Sequence, residues 1–112
     1  MIRIAAPAKL NLGLEVVGRR PDGYHELATI FQAIDLCDAL MLTSASGPGI
    51  RADLPGLDDG RNLAVAALTR IRATTSADDG ALLGIRKRIP IAAGMGGASS
   101  DAAAALLAGR AF

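Results

Sequence analysis

The chain has 112 residues and a mass of 11.4 kDa, which is enough for one small domain. It is 51% hydrophobic but only 3% aromatic, with no Trp and one Cys, and this excludes a disordered chain and a disulfide scaffold. Twelve basic against eleven acidic residues leave a charge of +1, which argues against nucleic-acid or anionic-membrane partners.

In chain order, Ile2 to Ala6 and Leu10 to Val17 read as strands. In the second, Leu10, Leu12, Leu14 and Val16 are expected on one face, with Asn11, Gly13 and Glu15 on a wet opposite face. Arg19 to Gly23 reads as a turn through Pro21-Asp22-Gly23. Glu26 to Asp35 and Ala39 to Thr43 read as further strands, followed by the turn Gly47-Pro48-Gly49 and a short strand Ile50 to Leu54. After the polar loop Asp58-Asp59-Gly60, Asn62 reads as the N-cap of a helix from Leu63 to Ala73. Leu83 to Ile89 predicts a strand and Pro90 to Gly97 a glycine-rich loop. Ser99 or Ser100 is expected to cap a second helix through Ala102 to Ala108. Antiparallel strands followed by two helices point to an α+β fold.

No signal peptide opens the chain, and the apolar stretch from Leu27 to Leu42 is broken by Asp35 and Asp38, so it cannot span a bilayer. With the lone Cys37, this predicts a cytoplasmic protein. The last helix runs to Phe112 without a Gly or Pro stop, so the chain is expected to be part of a longer domain.

Three stretches carry chemistry. The first is the run from Pro90 to Asp101, in which six of the seven residues from Gly94 to Ser100 are small and sit directly before a helix. Gly and Ala let backbone N–H groups approach an anion, and Ser99 and Ser100 sit where the helix dipole favours phosphate. Either hydroxyl suits a phosphate or Mg²⁺. The run is not a Walker A loop, because no Lys follows Gly97, and the dinucleotide fingerprint fails at Ser99. Positive charge must then come from elsewhere, and Lys87 is a candidate; a solvated strand-edge charge is the alternative. In Ala6-Pro7-Ala8-Lys9-Leu10-Asn11-Leu12, the ammonium of Lys9 shares a face with Asn11, where it either polarises an attacking hydroxyl or snorkels to water. In Asp22-Gly23-Tyr24-His25-Glu26, the single Tyr and single His suit a planar heterocycle, or are plain surface residues. One His and one Cys cannot build a metal constellation, so no protein metal site is expected.

Together these stretches resemble the galactokinase, homoserine kinase, mevalonate kinase and phosphomevalonate kinase superfamily. The run from Pro90 to Ser100 is similar to its ATP-binding motif. Pro7-Ala-Lys9-Leu-Asn11-Leu, Asp22-Gly23-Tyr24-His25, Asn62-Leu63 and Lys87-Arg-Ile-Pro90 resemble the 4-diphosphocytidyl-2-C-methyl-D-erythritol kinase branch, across essentially the whole chain. The resemblance implies the superfamily's amino-terminal domain, like a domain of a small-subunit ribosomal protein, with a mixed sheet and helices on one face. It implies Mg²⁺-assisted transfer of the γ-phosphoryl of ATP to the 2-hydroxyl of a cytidine diphosphate-linked methylerythritol, in non-mevalonate isoprenoid precursor biosynthesis. Lys9 would be the catalytic lysine, Asn11, Tyr24 and His25 would bind the substrate, and Tyr24 and His25 would hold the cytosine. Pro90, Ile91, Ala92, Ala93, Gly94, Met95, Gly96, Gly97, Ala98, Ser99 and Ser100 would bind ATP, with Asn62 and Lys87 beside the nucleotide. Met95 stands where Leu is usual in the family, and Ala98 where Gly is common.

The family's catalytic Asp segment and carboxy-terminal subdomain have no counterpart in these 112 residues. The chain is therefore expected to be an amino-terminal, ATP-binding kinase domain, incomplete and inactive alone, with apolar surface exposed. Other superfamily kinases, acting on mevalonate or homoserine, are the nearest alternative. A non-catalytic RNA-binding module of the same fold is another, which the +1 charge and sparse aromatics oppose.

Overall fold

The computed structural model describes residues 1–53, 62–74, 80–91 and 93–111. Six elements occur: β1 (Ile2–Arg19), β2 (His25–Ala45), β3 (Ile50–Asp53), α1 (Leu63–Thr74), β4 (Gly80–Arg86) and α2 (Gly97–Ala111). The sheet order is β1-β2-β4-β3; β1–β2 and β2–β4 are antiparallel, and β3–β4 is parallel. A parallel neighbour requires a crossover, and α1 lies between β3 and β4 in the chain. The mixed α+β architecture is thus as expected.

Alternation sorts the sheet into two faces. Leu40, Leu42, Leu83 and Ile85 turn inward with Ala6 and Ala81. They pack with Ala64 and Leu68 of α1 and with Ala104, Ala105 and Ala108 of α2. Alanines at these positions bring α2 close to its neighbours. Gly109 takes this furthest, since a Cβ there would lie 2.9 Å from Leu68 Cδ2.

Several expected boundaries change. Ile2–Ala6 and Leu10–Val17 form one continuous β1, and Glu26–Asp35 and Ala39–Thr43 form one β2. Ladder pairing carries both strands through the positions that read as breaks. The register shifts between Pro7 and Lys9, where a proline cannot donate to the ladder, and again between Asn11 and Gly13 and between Val16 and Gly18. These shifts overturn the single apolar face expected for Leu10, Leu12, Leu14 and Val16. Leu10 pairs with Gln32 and Leu14 with Thr29, an odd separation on β2, so the two leucines lie on opposite faces. Both are exposed, as is the rest of the hairpin arm from Leu10 to Leu27.

The strand expected to reach Ile89 ends at Arg86, releasing Lys87, Arg88 and Ile89 from the ladder. Helix α2 begins at Gly97, so Ser99 and Ser100 lie inside its first turn and are not its cap. Asn62 does cap α1: its Oδ1 accepts the N–H groups of Ala64 (2.9 Å) and Val65 (3.3 Å). The expected strand end at Leu54 and the loop Asp58-Asp59-Gly60 lie outside the described residues.

Candidate functional site

Two glycines shape the loop before α2. Gly94 and Gly96 hold φ values of 71° and 70°, a left-handed backbone disfavoured by roughly 1–2 kcal/mol once a Cβ is present. The turn brings two loop carbonyls onto β1. Lys9 Nζ donates to the Gly94 carbonyl at 2.8 Å, and the Lys9 N–H donates to the Met95 carbonyl at 3.0 Å. In a trans peptide the following N–H points opposite to the carbonyl. The N–H groups of Met95 and Gly96 therefore point away from β1. The first helical bond of α2 runs from the Ser100 N–H to the Gly96 carbonyl at 2.9 Å, leaving the N–H groups of Gly97, Ala98 and Ser99 ahead of the helical ladder. These donors border a cavity of about 240 Å³ whose walls include Asn62, Lys87, Pro90, Gly96, Ser99 and Asp101. Successive amides at the positive end of a helix make a cradle for an anion.

Lys9 is fastened on three sides. Besides the two loop carbonyls, its ammonium lies 5.3 Å from the centroid of the Phe31 ring, on the same face of the β1–β2 ladder. A Cβ on Gly96 would sit 3.2 Å from both Cγ and Cε of Lys9, so the loop glycine also makes room for the lysine stem. Asn11 shares this face. Its Oδ1 lies 3.2 Å from the Thr29 hydroxyl, which donates to the Gly13 carbonyl at 2.6 Å.

Lys87, at the leading end of the loop, bonds to two buried carboxylates. Its ammonium pairs with Asp38 and, at 3.0 Å, with Asp101. Asp38 stands on the helix-facing side of β2 with no exposed surface, and also accepts the N–H groups of Arg88 (2.7 Å) and Ile89 (2.9 Å). Burial alone would raise the Asp38 pKa, but the bonds from Asp101, Lys87 and the two amides pull it below the ordinary carboxylate value. Burial would lower Lys87, but its bonds to the carboxylates outweigh this and raise it. Asp101, only 3% exposed, is pushed up to about 6 by burial and by its bond to Asp38, with Lys87 offsetting only part. Its Oδ1 is buried and accepts no hydrogen bond from the described residues.

The structure brings Lys9, Asn62, Lys87, Pro90, Ile91, Ala93 and Gly94 to Ser100 around one loop, while Ala92 lies outside the described residues. Tyr24 and His25 are not brought there. They occupy the far end of the hairpin arm, where the Tyr24 N–H bonds Asp22 Oδ1 at 3.1 Å, the Arg20 N–H bonds the Tyr24 carbonyl at 2.6 Å, and His25 pairs with Arg19. From Lys9 to Arg19, β1 runs roughly 30 Å at about 3.3 Å per residue. Tyr24 is 73% exposed, and its ring is free to meet a ligand.

Sequence reasoning passed over Asp38 and Asp101. Asp38 interrupts an apolar run at a position where alternation demands a core residue, and that conflict was the available signal. Its partners at 87 to 89 are too far along the chain for any local rule to find them.

Residues 62–112 match the family described as GHMP kinases N terminal domain. The chain is 51% identical over 105 residues to a 4-diphosphocytidyl-2-C-methyl-D-erythritol kinase of Ralstonia nicotianae, an alignment covering 92% of this chain and 36% of the relative. A crystal structure of 4-(cytidine 5'-diphospho)-2C-methyl-D-erythritol kinase superposes with a TM-score of 0.87 at 42% identity, covering 98% of this chain and 40% of that one. A mevalonate kinase structure superposes at 0.75 with 19% identity, which shows the shared fold alone. The chain thus spans between a third and two-fifths of the length of these kinases. It is similar over almost all its own length to the 4-diphosphocytidyl-2-C-methyl-D-erythritol kinases, and its residues 62–112 match the GHMP kinase amino-terminal domain.

Proposed function

We propose that this chain is the nucleotide-binding part of a kinase that moves the γ-phosphoryl of ATP to the 2-hydroxyl of 4-diphosphocytidyl-2-C-methyl-D-erythritol, a step toward isoprenoid precursors. The observation that carries the reading is the loop. With the Gly94 and Met95 carbonyls turned to Lys9, the neighbouring amides and the start of α2 are left to a polyphosphate. Asn62 and Lys87 border the nucleotide in this reading. The ammonium of Lys9, held beside the loop, would favour the charge that develops as the hydroxyl attacks. Asn11, on the same face, would orient the polyol, and Tyr24 and His25 would hold the cytosine with the arm curled toward the loop, since the extended arm is longer than one substrate molecule.

Among the described residues, no group of three or more His, Cys, Asp or Glu is placed to hold a metal ion. Magnesium would arrive with the phosphates, the Ser99 or Ser100 hydroxyl completing its oxygen shell, which fits the ion's habit of using few protein ligands. Bound there, it would neutralise the β- and γ-phosphate oxygens.

The 112-residue chain is proposed to bind ligands without turning them over. Thermal melting with added ligands, paired with an assay for ADP release, tests both halves. MgATP and cytidine diphosphate should each raise the melting temperature, mevalonate should not, and no ADP should form with the methylerythritol substrate. Stabilisation by mevalonate but not by cytidine diphosphate would overturn the substrate assignment. Turnover like that of an ordinary small-molecule kinase would overturn the proposed dependence on further chain.

A further inference from the structure

The buried ion cluster beneath the loop has a geometry that a stability role alone does not account for. Asp38 comes from β2, Lys87 follows β4, and Asp101 stands in the first turns of α2. They therefore tie three elements together at one point. Asp38 reads the leading end of the loop twice, through the N–H groups of Arg88 and Ile89 and through the Lys87 ammonium. Asp101 connects the same ammonium to the trailing end. Gly97 supplies an independent sign that the two ends are in contact. Its backbone has no left-handed requirement, yet a Cβ on it would lie 3.1 Å from Ile89 Cγ2 and 3.2 Å from Lys87 Nζ. The last glycine of the loop is needed for space, and the space is filled by the Ile89 side chain and the Lys87 ammonium.

We infer that Asp38 and Asp101 are positioning residues: through Lys87 they clip the two ends of the 87–97 loop together, and so set the spacing of the amides on which polyphosphate binding depends. The clip works at the base of the loop, whereas Lys9 fastens its apex through the Gly94 and Met95 carbonyls. Lys87 acts here on the protein, with two of its three donors directed to carboxylates. The inference rests on the nucleotide reading above, and its test separates the two.

Backbone amide exchange in the ligand-free chain tests the clip, and titration with MgATP tests its consequence. Asp38→Ala should reduce protection at Arg88 and Ile89 by about tenfold or more, because their acceptor is removed. Asp38→Asn keeps one acceptor oxygen for these amides and should hold protection within about threefold of wild type. Asp101→Ala should lower protection at Ser100, and Asp101→Asn should restore it. The Leu68 amide in α1 should be unchanged throughout. MgATP affinity should fall about tenfold in both alanine variants, recover in Asp101→Asn, whose amide oxygen still accepts Lys87, and stay reduced in Asp38→Asn, whose amide nitrogen then faces the Lys87 ammonium, a split that a general loss of stability would not produce. Equal loss of protection at Leu68 and at the loop would overturn the inference, as would wild-type affinity in folded Asp38→Ala and Asp101→Ala chains. If Asp38→Ala does not fold, the Asp101 pair carries the test. Failure of the wild-type chain to bind MgATP overturns the nucleotide reading and the link from clip to affinity, while the exchange pattern still decides the clip itself.

Discussion

Gly94→Ala and Gly96→Ala make a matched pair of perturbations. Both glycines have φ near +70°, so both variants place an alanine in the left-handed region. Allowing for the entropy that alanine removes from the unfolded chain, this shared penalty is about 1 kcal/mol. The surroundings differ. A Cβ at 94 meets nothing within 4 Å, whereas a Cβ at 96 stands 3.2 Å from two carbons of Lys9. Displacing that stem adds about 1 kcal/mol of overpacking. Weakening the Lys9 bond to the Gly94 carbonyl adds about 1 kcal/mol more. Gly96→Ala should therefore destabilise the chain by about 3 kcal/mol and Gly94→Ala by about 1 kcal/mol. Urea unfolding followed by circular dichroism measures both. Combining Gly96→Ala with Lys9→Ala completes the cycle, since truncating the lysine removes the collision and the excess penalty with it. Equal destabilisation by the two glycine variants would refute the reasoning. Strict additivity of Gly96→Ala and Lys9→Ala, within about 0.5 kcal/mol, would refute it as well.

Two further outcomes follow from the core and the cluster. The pKa of Asp101 rises from 3.8 to about 6 on folding, so the folded chain holds this proton more tightly than the unfolded one. Its stabilising contribution is present at low pH and lost as the pH climbs through 6. Wild type should lose about 2 kcal/mol between pH 4.5 and 7.5 that Asp101→Asn does not lose, and parallel pH profiles of melting would contradict this. Gly109→Ala, which would favour an isolated helix by up to about 1 kcal/mol, should instead destabilise this one, because its Cβ meets Leu68 Cδ2 at 2.9 Å. Adding Leu68→Val should relieve the collision, and a stabilised Gly109→Ala single variant would show that α1 and α2 are not packed this closely.

Apolar side chains are concentrated on the exposed surface of the hairpin arm. Leu12, Ile30 and Phe31 are each more than 60% exposed, an unusual concentration of apolar side chains for a sheet surface in water. The sheet face opposite the helices is likewise open around Met41 and Leu82. The core itself is confined to the other end of the molecule, between the helices and the inner halves of β1, β2 and β4.

Much of the local geometry of the candidate site was legible residue by residue, because its determinants are local. Asn62 caps α1 through its own side chain, the turn at Pro21-Asp22-Gly23 closes through bonds within five residues, and glycines at 94 and 96 answer a local need for positive φ. Loop, helix and the chemistry of an anion cradle could be read together from one short run of sequence. What depended on pairing across the chain could not. The register shifts that divide Leu10 from Leu14 are set by the partner strand, and alternation within β1 contains no trace of them. Whether Lys87 serves a ligand or the protein depended on Asp38, brought to it by the antiparallel pairing of β2 with β4, and on Asp101, brought to it by the packing of α2. Local backbone preferences are written in neighbouring residues; the partner of a buried charge is chosen by topology. The sequence by itself determined the small-residue loop and the lysines on either side of it. Only the tertiary structure decided that one lysine holds the apex of that loop and the other its base.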